Sequence, residues 1–429
     1  MSLVSLQFLE PKSTERSIIR PLKKYLFGTR HLLAGYVERK RIIEKSDFHE
    51  FFKPYVGNGI FTCDSSQWKA RRKLLAAGFH SSMLKGYLVV INKHAQKLVE
   101  FLHEETGKES TCIESPLSLC SLDIVCVDSI FLDKPIIHPI LLLESILGVK
   151  IGALQSEAEE YVSSLHGQAL EHLRIAHGFS RKIIKERKLR YMKGETADGS
   201  RRPKCLLDVL LKLHIEDQVL DEEGVRQEVD TFIAAGHDTV AVAVKWALYL
   251  IGLYPEVQEK IHHELDSVLG ADNKCPISID DLKEFKYLDC VLKESNRLYP
   301  PSPAIARKVS EEISICGYKI PKRTTVVASI FFLHRDENVF PDPEKFDPER
   351  FLPENSTRIP ECAYIPLAAG PRNCIGRVFG EMEVKVLVCH ILRNFSLHSL
   401  DSRDKVLPII KFTLQSSQPT RIKFRRRQQ

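Results

Sequence analysis

Between Asp221 and Tyr254 the sequence describes one long helix, and a run so apolar belongs in the middle of a mainly helical fold. Glu222 and Glu223 suit its first turn, where carboxylates meet unpaired backbone N–H groups. Val229, Phe232, Ile233, Val240, Val244 and Ala247 carry the apolar pattern onward, and Pro255 ends it. In the middle stands Ala235-Gly236-His237-Asp238-Thr239. An acid and an alcohol at mid-helix are costly, because both side chains compete with backbone hydrogen bonds. Two readings weigh against each other there. Thr239 can bond back to a carbonyl while Asp238 pairs with a lysine, or the pair can deliver protons in a dry pocket; the second carries more weight. Gly236 thins the helix wall for a ligand or another backbone.

Other segments from 40 to 300 also read as helices: Trp68 to Phe79, Leu88 to Leu102, Gly178 to Lys193, Cys205 to Leu213, Glu256 to Leu269 and Ser278 to Leu298. After Pro300 the texture changes. Ile313 to Ile320 and Thr324 to Ile330 look like strands, 341 to 371 reads as proline-punctuated coil, and Arg377 to Phe395 is a last helix before a basic, strand-like tail. With 429 residues, one large domain is long enough for a sizeable core. The expected boundaries are an unplaced segment over 1–36 and one domain over 37–429.

A net charge of +6 is too weak to argue for a nucleic-acid partner, though it suits an acidic protein partner. Eleven cysteines without CxxC pairs speak against a secreted disulfide framework. No uninterrupted apolar run reaches the roughly 18 residues that span a bilayer. His262-His263-Glu264 lacks the spacing of a zinc hydrolase, and its histidines are expected to face solvent.

The sharpest local feature is Gly370-Pro371-Arg372-Asn373-Cys374-Ile375-Gly376, just ahead of the last helix. A cysteine at a helix start has backbone N–H groups aimed at its sulfur, which favours thiolate over thiol. Arg372 adds positive potential. A buried cysteine in a tight turn is the bland alternative, and a reactive nucleophile is another. Glu294-Ser295-Asn296-Arg297 places a carboxylate and a guanidinium at i and i+3 on an apolar helix, and Pro348-Glu349-Arg350-Phe351 offers a second arginine.

In their order along the chain, AGHDT, ESNR, PERF and GPRNCIG resemble the cytochrome P-450 superfamily, the heme-thiolate monooxygenases. Trp68 and Arg72 match its W-x-x-x-R element, and the wording of several stretches looks most like its fourth family, which includes fatty-acid ω-hydroxylases. The resemblance covers roughly residues 40 to 425. It implies the cytochrome P-450 fold, mainly α with a small β portion, and heme b as cofactor. Cys374 would be the proximal thiolate on the iron. Arg372, Arg72, Trp68 and Arg307 would hold the heme propionates. Asp238 and Thr239 would organise water and pass protons to dioxygen. Glu294, Arg297 and Arg350 would lock the coil beneath the heme. The implied reaction is hydroxylation of a hydrophobic small molecule, such as a fatty acid, with electrons from NADPH through NADPH-cytochrome P-450 reductase. Lys69, Arg71 and Lys73 would offer that reductase a basic dock. Phe232, Ile233, Ala235 and the Pro303–Ile305 stretch would line the pocket. The family would place the active form on the cytosolic face of the endoplasmic reticulum; without an anchor in this chain, a peripheral or cytosolic form is the alternative.

Four departures from the pattern stand out. The family's membrane anchor has no counterpart in this sequence, and none is expected. Leu367 replaces the aromatic residue that opens the cysteine signature, and Ala235 stands where many relatives carry a glutamate esterified to heme, so heme is expected without that bond. VDSIFLDKPIIHPILLL, Val127 to Leu143, looks inserted into a helix, and Ser156 to His177 is too short for the two helices that normally roof the pocket. These features leave two rivals. One is a catalytically silent splice form or damaged gene product. The other is a reductase-independent isomerase or dehydratase, against which the intact Asp238–Thr239 pair argues.

Overall fold

The computed structural model describes residues 42–126, 159–193, 205–270, 275–315 and 318–427. Its α-helices of six residues or more are α1 (Ser65–Leu75), α2 (Ser81–Glu105), α3 (Glu114–Ile124), α4 (Glu159–Met192) and α5 (Leu206–Ile215). They continue with α6 (Glu222–Leu253), α7 (Pro255–Leu269), α8 (Ile279–Glu284), α9 (Lys286–Leu298) and α10 (Arg377–Asn394). Helix α6 is the axis. At 32 residues it is about 48 Å long, and α3, α4, α9, α10 and a C-terminal strand all pack on it. Asp221 caps its start by accepting from Gly224 N. Pro255 serves twice, stopping α6 and opening α7 at the position where its missing N–H costs nothing.

The predicted single helix from Ser278 to Leu298 is two helices. Phe285 leaves the helical region (φ −77°, ψ 77°), its ring is buried, and α9 starts afresh after it. Glu264 of α7 makes this break stable: its two carboxylate oxygens accept from Tyr287 N at 2.7 Å and Leu288 N at 2.9 Å. A remote carboxylate thus satisfies orphan donors that no local residue caps. His262 is half-buried and not solvent-facing as expected, with burial pushing its imidazole down to about 4, while His263 is exposed.

Among the described residues the small β portion has four pieces. Strands β1 (Glu44–Lys45), β3 (Ala304–Lys308) and β6 (Thr325–Ser329) form one antiparallel sheet, with Arg307 opposite both Lys45 and Val326. Strands β2 (Thr111–Cys112), β10 (Arg421–Arg426) and β7 (Phe395–Ser399) form another. The expected strand from Ile313 to Ile320 folds back on itself as a hairpin of β4 (Ile313–Ile315) and β5 (Tyr318–Ile320). A last hairpin, β8 (Pro408–Ile410) and β9 (Leu414–Ser416), lies on α6, where Trp246 Nε1 donates to Leu414 O at 2.7 Å.

The expected insertion at Val127 to Leu143 lies outside the described residues. Of the expected short roof, residues from Glu159 onward belong to one continuous helix, α4, which runs through to Met192. Among the described residues no single helix is long and apolar enough to cross a membrane.

Candidate functional site

Cys374 sits in the loop that leads into α10. Ala368 (φ 58°) and Gly370 (φ 67°) take left-handed conformations, and Cys374 N donates to Leu367 O at 3.0 Å, closing the loop. Cys63, Cys120, Cys126, Cys205, Cys290 and Cys389 are buried and Cys362 is half-buried, whereas Cys374, like Cys112 and Cys275, is exposed. Desolvation by the surrounding protein pushes the Cys374 thiol above its ordinary value. The Gly376 N–H and the Arg72 guanidinium pull the other way without winning. The helix-start N–H thus pulls toward thiolate in the expected direction, and burial outweighs it. A metal ion at the sulfur would deprotonate it outright.

The guanidinium of Arg372 stacks 4.7 Å from the Trp68 ring centroid. It donates through Nε to Ile43 O at 2.9 Å and through Nη2 to Cys63 O at 3.0 Å, while its buried Nη1 has no hydrogen-bond partner. Burial, with Arg307 as a second cation nearby, pushes Arg372 down to about 10. Arg307 is itself buried in β3. An unused buried donor on a guanidinium with a second cation nearby suits an anionic carboxylate. Arg72 is used differently: its Nη1 and Nη2 donate to Asn373 O at 2.7 Å and Asn373 Oδ1 at 2.6 Å, tying α1 to the cysteine loop.

On α6, a helix otherwise buried along most of its length, Ala235 is exposed and Gly236 and Thr239 are half-buried. These three lie at i, i+1 and i+4, which is one open face. Thr239 Oγ1 donates back to Ala235 O at 2.7 Å. Asp238 turns aside, accepting from Thr413 Oγ1 at 2.8 Å and Gln415 Nε2 at 3.4 Å. A Cβ at Gly236 would stand 3.0 Å from Val125 Cγ2, so the glycine lets the end of α3 approach. Of the expected pocket residues, Phe232, Ile233 and Pro303 are buried, Ile305 is half-buried, and Ala235 and Ala304 are exposed.

Behind the loop, Arg297 and Glu294 are both fully buried and paired twice, Nε to Oε2 at 2.7 Å and Nη2 to Oε1 at 2.8 Å. The remaining Arg297 donors reach His334 O, Pro343 O and Lys345 O, so all five are used. Arg350 Nε lies 3.5 Å from Glu294 Oε1, and Arg350 Nη2 donates to Asp342 O.

Residues 30–424 match the family described as Cytochrome P450. The chain belongs to the cytochrome P450 family. It is 36% identical to a rat protein named Cytochrome P450 4V2, with 93% of this chain and 83% of that one covered. The human Cytochrome P450 4V2 is also 36% identical, over 96% and 84%. Cytochrome P450 4c3 of Drosophila melanogaster is 32% identical, over 90% and 76%. The rat alignment runs over 453 positions, more than this chain contains, so the relative has residues without a counterpart here. As a cytochrome P450 the chain is a heme-thiolate monooxygenase, and the exposed sulfur, unused Arg372 donor and open face of α6 fit a flat, anionic, iron-bearing group.

Two features of this cytochrome P450 escape sequence reasoning. Arg71, read as part of a basic dock, turns inward: its Nη1 pairs with Glu228 Oε1 at 2.7 Å and bonds Asn58 O, leaving Lys69 and Lys73 exposed. Glu228 is buried and also accepts from Ile60 N at 3.0 Å, so it clamps the loop after Val56 onto α6. In that loop Gly57 has φ +62°, and a Cβ there would collide with Gln227 at 2.3 Å. The second is the set Thr413, Gln415 and Lys245 around Asp238, which lies 175 residues from its nearest hairpin partner. Sequence reasoning weighs a lysine partner for Asp238 and a back-bonded Thr239, and both have a counterpart here; what it misses is that the link to Lys245 runs through Gln415 of a distant hairpin.

Proposed function

We propose that this cytochrome P450 hydroxylates a hydrophobic small molecule of the fatty-acid class, with electrons from NADPH through NADPH-cytochrome P-450 reductase. Heme b supplies dioxygen activation and oxygen transfer when bound. Cys374 would ligate its iron as thiolate. Arg372 and Arg307 would take the propionates, with Trp68 stacked on Arg372 and Arg72 holding the loop. Ala235 has no carboxyl group, which supports a heme held without an ester bond. Glu294, Arg297 and Arg350 hold the coil around 334–347 in place. Asp238 and Thr239 would bring protons to the open face of α6, and the apolar flank formed by Phe232 and Ile233 supports a greasy substrate. Lys69 and Lys73 would dock the reductase. The family resemblance would place it on the endoplasmic reticulum membrane, and the domain would span 37–429.

The observation that carries this reading is one exposed cysteine, on a loop braced by Arg72, beside a buried arginine with an unused donor. The experiment is the absorption spectrum of the reduced protein with carbon monoxide. A strongly red-shifted band, lost in Cys374→Ala, is expected. Bound heme with an unchanged spectrum in Cys374→Ala overturns the ligand assignment. Incubating the loaded enzyme with NADPH, the reductase and a fatty acid then tests the substrate class, and no hydroxylated product from any chain length refutes it.

A further inference from the structure

Lys245 lies two turns beyond Asp238 on α6 and is 2% exposed. An ammonium taken this far out of water is stable only where charge and hydrogen bonds compensate. Its Nζ donates to Gln415 Oε1 at 3.0 Å and to Ser416 Oγ at 3.4 Å, and stands 4.9 Å from the Trp246 ring centroid. The other end of the same amide faces the acid. Gln415 Nε2 reaches Asp238 Oδ1 at 3.4 Å and Thr413 Oγ1 at 2.8 Å, and Thr413 in turn donates to Asp238 Oδ2 at 2.8 Å. Thr413 stands at the end of the turn and Gln415 in β9, so one hairpin supplies both contacts.

We propose that Gln415 joins Lys245 to Asp238 as an amide-bridged ion pair, and that Lys245 is thereby a positioning residue for Asp238. Cation and anion orient the amide together: its oxygen turns to the ammonium and its NH2 to the carboxylate, an order that a flipped amide would reverse. Gln415 is half-buried, and along the chain each hydrogen bond polarises the next, so the bridge couples charges that do not touch. The consequence is positional. Asp238 is held against the β8–β9 hairpin while Thr239 stays beside the open face. Proton supply then depends on the hairpin as well as on the helix. The functional part rests on Asp238 acting as proton carrier; the bridge itself does not.

Thermal unfolding of the holoenzyme tests the bridge in Lys245→Met, Asp238→Asn and the double variant. The double variant should lose no more Tm than the worse single one; losses that add overturn the bridge. Gln415→Met, which deletes the amide without stranding a new charge, should abolish the non-additivity between 245 and 238. If the non-additivity persists in that background, the amide is not the link. For the positioning role, Lys245→Met should raise the peroxide-to-product ratio several-fold at unchanged KM, with Lys245→Arg restoring most of the coupling. An unchanged ratio in a folded Lys245→Met overturns that role. Full coupling in Asp238→Asn would instead refute the proton-carrier reading, leaving the bridge to stand on the unfolding data.

Discussion

Arg297→Met removes a guanidinium whose five N–H donors serve five acceptors in a site with no exposure to water. The methionine fills much of the volume, so the cost is electrostatic. Glu294 is left as a fully buried carboxylate, with the Asp347 N–H at 2.9 Å and Arg350 at 3.5 Å as its remaining partners. Breaking a buried pair from one side typically costs about 3–5 kcal/mol. The carbonyls of His334, Pro343 and Lys345 each lose a donor as well, at about 1 kcal/mol apiece for an ordinary hydrogen bond. A loss of at least about 3 kcal/mol is therefore expected, a large share of the roughly 5–15 kcal/mol that holds a typical domain. Urea unfolding, followed by the fluorescence of Trp68 and Trp246, should show the midpoint falling by about 1 M at an m value of about 3 kcal/mol/M. Glu294→Gln combined with Arg297→Met should recover part of the loss, since no lone charge remains. A midpoint for Arg297→Met within 0.3 M (about 1 kcal/mol at that m value) of the unaltered protein would refute the reasoning. So would a double variant as unstable as the sum of its parts.

Three further outcomes follow from the same geometry. Glu383 is fully buried with Ser121 Oγ at 2.8 Å, and desolvation pushes its carboxyl from 4.5 up to about 8. The native state therefore keeps a proton that the unfolded chain releases, and stability falls as pH rises through that window. Glu383→Gln should raise Tm at pH 8 and leave it nearly unchanged at pH 4; an equal gain at both would count against burial as the cause. Arg71→Met should lower Tm by stranding Glu228 and leave the salt dependence of reductase binding alone, whereas Lys69→Glu with Lys73→Glu should weaken binding at low salt without changing Tm. Titrating reductase at two ionic strengths separates the two, and the opposite split would return Arg71 to the dock. Thr239→Ala should release peroxide in place of product, measured as peroxide per NADPH consumed, and well-coupled turnover would remove its hydroxyl from the chemistry.

The helices were legible where local physics decides them. Asp221, Glu222 and Pro255 mark the ends of α6 within a residue, because caps and proline act on their own backbone. The order of AGHDT, ESNR, PERF and GPRNCIG was enough to name the family, since motif and spacing are one-dimensional properties. What stayed hidden depends on residues far apart in the chain. Phe285 breaks a helix that periodicity would continue, because Glu264 on another helix caps the next one. Arg71 stands between Lys69 and Arg72 and reads as surface charge, yet one helix turn points it at Glu228, 157 residues on. Gly236 reads as room for a ligand or another backbone, and it takes the fold to show that Val125 at the end of α3 is what comes close. Cys374 shows the same division in its chemistry. Its neighbours in sequence favour an ionised sulfur through Gly376 N–H, while the folded surroundings desolvate it and keep the proton on. Periodicity, caps and motifs are set by neighbours along the chain. Direction, burial and pairing are set by which elements meet, and only the tertiary structure decides that.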